Sequence, residues 1–186
     1  FHPQKLKELL YKQCFSYANV PYHIKGVNSI FEDPKDTIKY NFELADKIHL
    51  RVQDMGADGK LILDKNTNVY LVNLLEKLLV PLLGKLSNFV IDGGIWMNTQ
   101  RPEWNDANNA IVGNGLSMVT LYYMRRYVTF MQKLLCRAPA SVEISNEVST
   151  WLLNTVEVLS DAANTVRLKP LDDTLRKALL LQLEKV

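Results

Sequence analysis

The stretch Leu-Val-Asn-Leu-Leu-Glu-Lys-Leu-Leu-Val-Pro-Leu-Leu-Gly-Lys-Leu, residues Leu71 to Leu86, decides the fold class. Leu71, Leu74, Leu75, Leu78, Leu79, Leu82, Leu83 and Leu86 recur at intervals of three or four, the period of an α-helix, and Val72 widens their face further. A helix this apolar is covered on more than one side. Its predicted span is Asn68 to Asn88, capped by Asn66 or Thr67. Pro81 removes a backbone donor inside it, which predicts a kink or a break in the preceding turn.

The same period extends outward in both directions. Leu6, Leu9, Leu10 and Phe15 place a first helix over residues 4 to 18, followed by a loop with Pro21, Gly26 and Pro34. A second helix is predicted from near Asp36, because Ile38, Phe42, Ala45, Ile48 and Val52 line one face. Between Asp54 and Asn68, Gly56 and the Asp58-Gly59 pair read as turns, and Leu61-Ile62-Leu63 as a short strand or a tucked loop. A long fourth helix is expected from Ala107 to Cys136, again apolar on much of its circumference. A fifth follows Ser145, with Val148, Trp151, Leu152, Thr155, Val156 and Leu159 inward. A sixth follows Asp172, with Leu175, Ala178, Leu179 and Leu183 inward. The prediction is an all-α chain of about six helices, one domain over residues 1–186, with the third and fourth helices as its inner layer.

Composition sets the outer limits. With 47% hydrophobic and 23% charged residues, the 186-residue chain has enough apolar mass for one core. Its 22 Lys and Arg against 20 Asp and Glu leave a charge of +2, too small to call for nucleic acid or an anionic membrane. The uncharged run from Ala107 to Met124 is too rich in Asn, Gly, Ser and Thr for a bilayer span. Cys14 and Cys136 form no metal or redox pair and are read as buried free thiols. His2, His23 and His49 share no ligand spacing, so no metal is expected, and His49 reads as partly buried on a helix. No cofactor is indicated. The chain begins at Phe1 rather than Met, from which an excised or processed piece is expected. The compartment is undetermined, with the cytoplasm favoured in the absence of a signal-peptide pattern.

Residues Asp92 to Asn109 carry most of the chemistry. The segment Asp-Gly-Gly-Ile-Trp-Met-Asn-Thr-Gln-Arg-Pro-Glu-Trp-Asn-Asp-Ala-Asn-Asn holds two of the three tryptophans in the chain, together with carboxylates, amides and an arginine. Sugars are bound by aromatic rings against the apolar pyranose face and by planar polar groups that fix the hydroxyls. Trp96, Arg101, Trp104, Asn105, Asn108 and Asn109 are the candidate substrate-binding residues.

The core from Glu103 to Asn109 resembles the Trp-Asn-Asp motif of glycoside hydrolase family 94, the cellobiose phosphorylases and cyclic glucan synthases. Those enzymes, like the more distant trehalase-like and processing-glucosidase families, are (α/α)-toroid proteins, and a complete toroid needs about twice the helices read here. The resemblance implies that the chain is part of a larger catalytic toroid. It gives Asp106 the role of general acid toward the glycosidic oxygen, with Trp104 and Asn105 shaping the subsite. The family usually has Asp where this chain has Glu103, and Gly-rich sequence where it has Arg101-Pro102.

Inverting hydrolysis needs a second carboxylate about 6.5 to 9.5 Å from the acid; Asp92, Glu103, Glu143 and Glu147 are candidates by type, and Glu103 is taken as the catalytic partner of Asp106. The competing assignment makes Asp106 or Asn105 an N-cap worth about 1 kcal/mol. Two further possibilities stay open: a non-catalytic carbohydrate-binding or interaction domain, and a helical subdomain with Trp96 and Trp104 as buried anchors. The implied partners are an oligosaccharide and the remainder of a parent chain. A homo-oligomer is possible through exposed apolar flanks. Gly113 and Gly115 read as sites of close helix approach. Tyr122, Tyr123, Tyr127 and Phe130 read as core, with Arg125 and Arg126 snorkelling.

Overall fold

The computed structural model describes residues 3–98, 110–136, 138 and 141–186. Of these, 59% are helical and 11% lie in strands or bridges, so the chain is mainly helical rather than all-α. The seven described helices are α1 (Pro3–Leu9), α2 (Val27–Glu32), α3 (Phe42–Met55), α4 (Leu74–Leu86), α5 (Met118–Leu135), α6 (Asn146–Leu168) and α7 (Asp173–Lys185). Strands β1 (Tyr22–Ile24) and β2 (Ile38–Tyr40) form one antiparallel pair. Strands β3 (Phe89–Val90), β4 (Gly94–Trp96) and β5 (Leu116–Ser117) form an antiparallel sheet in sequence order.

Helix α4 is the centre of the packing. Leu75, Leu79 and Leu83 are buried with Leu10 after α1, Met131 and Leu134 of α5 and Val148 of α6. It runs through Pro81 without interruption, and Pro81 faces solvent, where the missing donor and the ring are accommodated. It starts at Leu74, later than the apolar pattern predicts, because residues before it are used otherwise. Phe15, Ala18, Leu61, Leu63, Val69 and Val72 form antiparallel bridges among three extended segments. That ladder ends the first helix at Leu9 and gives Leu61-Ile62-Leu63 its extended form.

Two other boundaries differ from the sequence expectation. Helix α3 begins at Phe42, capped by Asn41, whose Oδ1 accepts from the Leu44 N–H at 3.0 Å. Residues 38 to 40 pair instead with Tyr22–Ile24. Phe42 consequently stands 74% exposed instead of inside. The expected helix from Ala107 to Cys136 is interrupted: Ala110 and Ile111 are helical, a turn follows, and α5 starts only at Met118, capped by Ser117. Gly113 produces the break. Its φ is +80° and a Cβ there would lie 2.2 Å from Pro34, so the close neighbour is the α2–β2 loop rather than a helix.

Helices α6 and α7 follow Ser145 and Asp172 as predicted, each with a side-chain cap. Helix α5 does not match its inner-layer assignment. Met124, Met131 and Leu134 form its buried stripe, while Tyr122 and Tyr123 are 60% and 63% exposed. Only Tyr127 turns inward, its hydroxyl donating to the Leu78 carbonyl at 2.9 Å. Cys14 and Cys136 are free but exposed, and His49 is exposed with its ring beside Gln53. Among the described residues no helix is long and apolar enough to cross a membrane.

A polar node joins α4 to α6. Glu76 is only 4% exposed; its carboxylate accepts from the Ser145 backbone N–H at 2.7 Å and from the Ser145 hydroxyl at 3.0 Å. Asn73 caps α4 by accepting from the Glu76 N–H, and its amide donates to the Glu143 carbonyl. Removing a charged acceptor here leaves buried donors unpaired. Glu76→Ala is expected to destabilise the chain by about 2–3 kcal/mol and Glu76→Gln by about half as much, in urea denaturation. Equal stability of Glu76→Ala and the parent chain would remove the node from the account.

Candidate functional site

The residues around Trp96 are built from the sheet upward. The β3–β4 turn carries Asp92 at a φ of +56°, and Gly93 follows, where a Cβ would meet Leu116 at 2.8 Å. Asp92 is exposed and paired with Arg176 at 3.4 Å, which makes it a surface ion-pair partner. Strand β4 is buried throughout. After it, the Met97 N–H donates to the Gly115 carbonyl at 3.0 Å, and the Gly113 N–H donates back to the Met97 carbonyl at 2.6 Å. The Trp96 indole N–H donates to the Gly113 carbonyl at 2.9 Å. The chain therefore leaves the sheet after Met97 and rejoins it at Gly113, with both ends held by the same three bonds.

Residues 99–109 lie outside the described residues. With them lie Arg101, Glu103, Trp104, Asn105, Asp106, Asn108 and Asn109 of the motif. Trp96 is 7% exposed and packs with Val27, Ile30 and Leu180, its ring 5.4 Å from that of Phe31. Its nitrogen is spent on Gly113 and its ring lies among α2, β4 and α7. This placement is that of an anchor which fixes where the loop begins and ends.

Beside this anchor lies a cavity of about 330 Å³. Its polar lining is Lys25, Ser87, Asn88, Asn98 and Glu184, and its apolar lining joins Trp96 and Trp151 to Ile24, Val27, Ile30 and Leu180. These residues come from several elements. Ser87 and Asn88 end α4, and both side chains donate to the Gly84 carbonyl at 3.1 Å. The Asn88 carbonyl receives the Trp96 backbone N–H at 2.8 Å, which ties the helix end to β4. Trp151 on α6 reaches the cavity across Gly84, where a Cβ would touch its ring at 3.7 Å. Glu184 on α7 accepts from the Val27 N–H at 3.3 Å. Asn98 is the last described residue before the motif.

The structure thus brings Trp96 to the cavity and leaves Asp92, Glu143 and Glu147 elsewhere. Glu143 and Glu147 are exposed at the start of α6, beside the Glu76 node. The carboxylate at the cavity is Glu184, which motif reading misses because its neighbours Leu183 and Lys185 make it look like an ordinary helical surface charge. Trp151 was legible only as a core residue. Among the described residues no group of three or more His, Cys, Asp or Glu gathers as a metal site.

A second polar cluster surrounds Tyr17. Its hydroxyl is buried without a hydrogen-bond partner, and the Lys77 ammonium lies 4.2 Å from its ring centre while donating to the Ser16 carbonyl. Burial first, then the charges of Glu76 and Tyr70, push the Tyr17 phenol from 10.0 up to about 12. Burial and the nearby Glu76 also raise Tyr70. These groups close the junction of the 14–18 segment with α4, and the cluster reads as structural.

Comparison with known proteins finds no matching family and no matching curated protein for this chain.

Two predictions follow from this geometry. Trp96→Ala should cost about 3–5 kcal/mol of stability through loss of the buried ring, whereas Trp96→Phe should cost about 1–2 kcal/mol, chiefly the bond to Gly113; equal small losses in urea denaturation would remove Trp96 as an anchor. The raised Tyr17 pKa means the folded state holds its proton more tightly than the unfolded chain, so its contribution is intact below pH 10 and is lost as pH rises toward 12. Urea midpoints measured across that interval should fall less steeply in Tyr17→Phe than in the parent chain.

Proposed function

We propose that this chain is a carbohydrate-active helical domain, part of an (α/α)-toroid glycoside hydrolase or glycoside phosphorylase. Asp106 is the general acid in this reading, with Glu103 the second carboxylate. Arg101, Trp104, Asn105, Asn108 and Asn109 contact the sugar, and Trp96 holds the loop that carries them. The motif Glu103 to Asn109 supports the chemistry by resemblance. The observation that carries the reading on the structural side is the cavity at Asn98. It joins two amides, a hydroxyl, a carboxylate and the Lys25 ammonium to two indoles and several aliphatic side chains, at the point where the chain departs for the motif. Its 330 Å³ falls in the range of small-molecule sites, roughly 300–1,000 Å³. Amide and carboxylate groups opposed to aromatic rings suit a ligand with hydroxyls on its edge and C–H groups on its face.

A second reading is a non-catalytic domain in which the same cavity recognises a sugar without cleaving it; the burial of Trp96 marks that ring as a structural anchor under either. The two differ in the role of Asp106. Under the first, α- or β-linked gluco- or manno-oligosaccharides are cleaved by this chain joined to the remainder of its parent, and Asp106→Asn abolishes turnover while retaining binding. Dependence on added phosphate then assigns phosphorolysis, and independence from it assigns hydrolysis. Turnover that survives Asp106→Asn removes the acid role. Binding without cleavage by the longest parent chain moves the cavity to recognition.

A further inference from the structure

Helix α5 has a second face that no other described element covers. Val119, Tyr123, Arg126, Phe130 and Lys133 follow one another at intervals of four, three, four and three residues, the spacing of a seam that meets another helix. All five are exposed. Val119 and Tyr123 show 65% and 63% of their surface to water, and Phe130 shows 44%. Tyr122 and Arg125 flank the seam, and Arg126 lies over the Tyr123 ring at 5.7 Å. Helix α5 contains no carboxylate over its whole length, so Arg125, Arg126 and Lys133 form a cationic surface broken only by aromatic and neutral side chains. None of these three cations forms an ion pair among the described residues.

Helix α6 presents the opposite arrangement. Its inward stripe is Val148, Thr155 and Ala162. On the opposite side stand Leu153, Glu157, Ser160 and Asn164, again at intervals of four, three and four, with Val156 and Asp161 beside them. Leu153 and Val156 are 66% and 52% exposed, and Glu157 and Asp161 are exposed and outside any ion pair among the described residues. No cation occurs in α6 until Arg167 near its end.

We propose that the chain self-associates by laying the α5 seam of one copy against the outer α6 face of a second copy. Tyr123, Phe130 and Val119 then cover Leu153 and Val156, while Arg126 and Lys133 meet Glu157 and Asp161. The occupant is argued from complementarity within one molecule: each face supplies the charge sign that the other lacks, and both expose apolar residues. A net charge of only +2 disfavours a polyanion as the occupant, because the cationic surface is local. The contact joins two different faces, so it builds either a closed ring of copies or an open chain of them, according to the angle at which they meet.

Sedimentation of the chain over roughly a hundredfold range of concentration should show mass rising above the monomer at low salt and falling back at high salt. The charge-reversed variants Arg126→Glu/Lys133→Glu and Glu157→Lys/Asp161→Lys should each associate at least about tenfold more weakly than the parent. Mixing the two variants should restore association, since each then offers the face that the other requires. All four substituted residues are exposed, so both variants should keep the helical circular dichroism of the parent. A chain that stays monomeric throughout, or variants that associate as the parent does, would overturn the proposal. Failure of the mixture to recover mass would also overturn it.

Discussion

The carboxylate of Glu76 holds two helices by their N-terminal ends. It sits in the first turn of α4 and receives both the backbone N–H and the hydroxyl of Ser145, the residue that caps α6. A helix start is rich in unpaired donors and carries partial positive charge, so one buried anion is stabilised by both ends at once. Asn73 adds a second link from the α4 cap to the chain just before α6. The packing of α4 against α6 therefore begins from one polar point. From there they diverge little: near the far end of α4, Gly84 still meets the Trp151 ring of α6.

That register is what builds the cavity. Trp151 reaches its wall beside Gly84, where a Cβ would stand in ordinary contact with the ring at 3.7 Å, and Ser87 and Asn88 reach it where α4 ends. The small sheet closes the opposite side. Its hydrogen bonds hold β4 to the end of α4, and the Trp96 indole holds β4 to Gly113. A shift of α4 by one residue would rotate its apolar stripe by about 100° and separate Glu76 from Ser145 together. Polar node, apolar core and cavity are thus one constraint expressed at three places.

How far the sequence foretells this depends on whether a residue's role is local. Caps were legible in part: Ser145 and Asp172 stand where the fifth and sixth helices were expected to follow, whereas the third is capped by Asn73 rather than by Asn66 or Thr67. Pairing partners distant in sequence were not. Ile38 satisfies helical periodicity with Phe42 and Ala45, but its backbone pairs with Ile24 across an intervening helix. Gly113 lies in an apolar run that reads as continuous helix, and only the approach of Pro34 shows why the run must turn there. The cavity shows the same division. Motif reading singled out Trp96 by its neighbours along the chain, whereas Trp151, Asn88 and Glu184 become a site only through the packing of α4, α6 and α7.

The apolar breadth of α5 was read from sequence as a sign of burial on several sides, and one side is indeed buried. The rest of that breadth is open to water in Val119, Tyr122, Tyr123 and Phe130. Periodicity reports how much of a helix is apolar but carries no information on which molecule covers it. Charge does carry such information. A helix that merely needed solubility would mix signs along its outer face, as α7 does with Asp173, Arg176, Lys177 and Glu184. Helices α5 and α6 instead separate the signs between them, cations with aromatics on one and carboxylates with aliphatics on the other. Segregation of this kind leaves each helix with a surface of the sign that the other attracts, which is the physical basis of the proposed association.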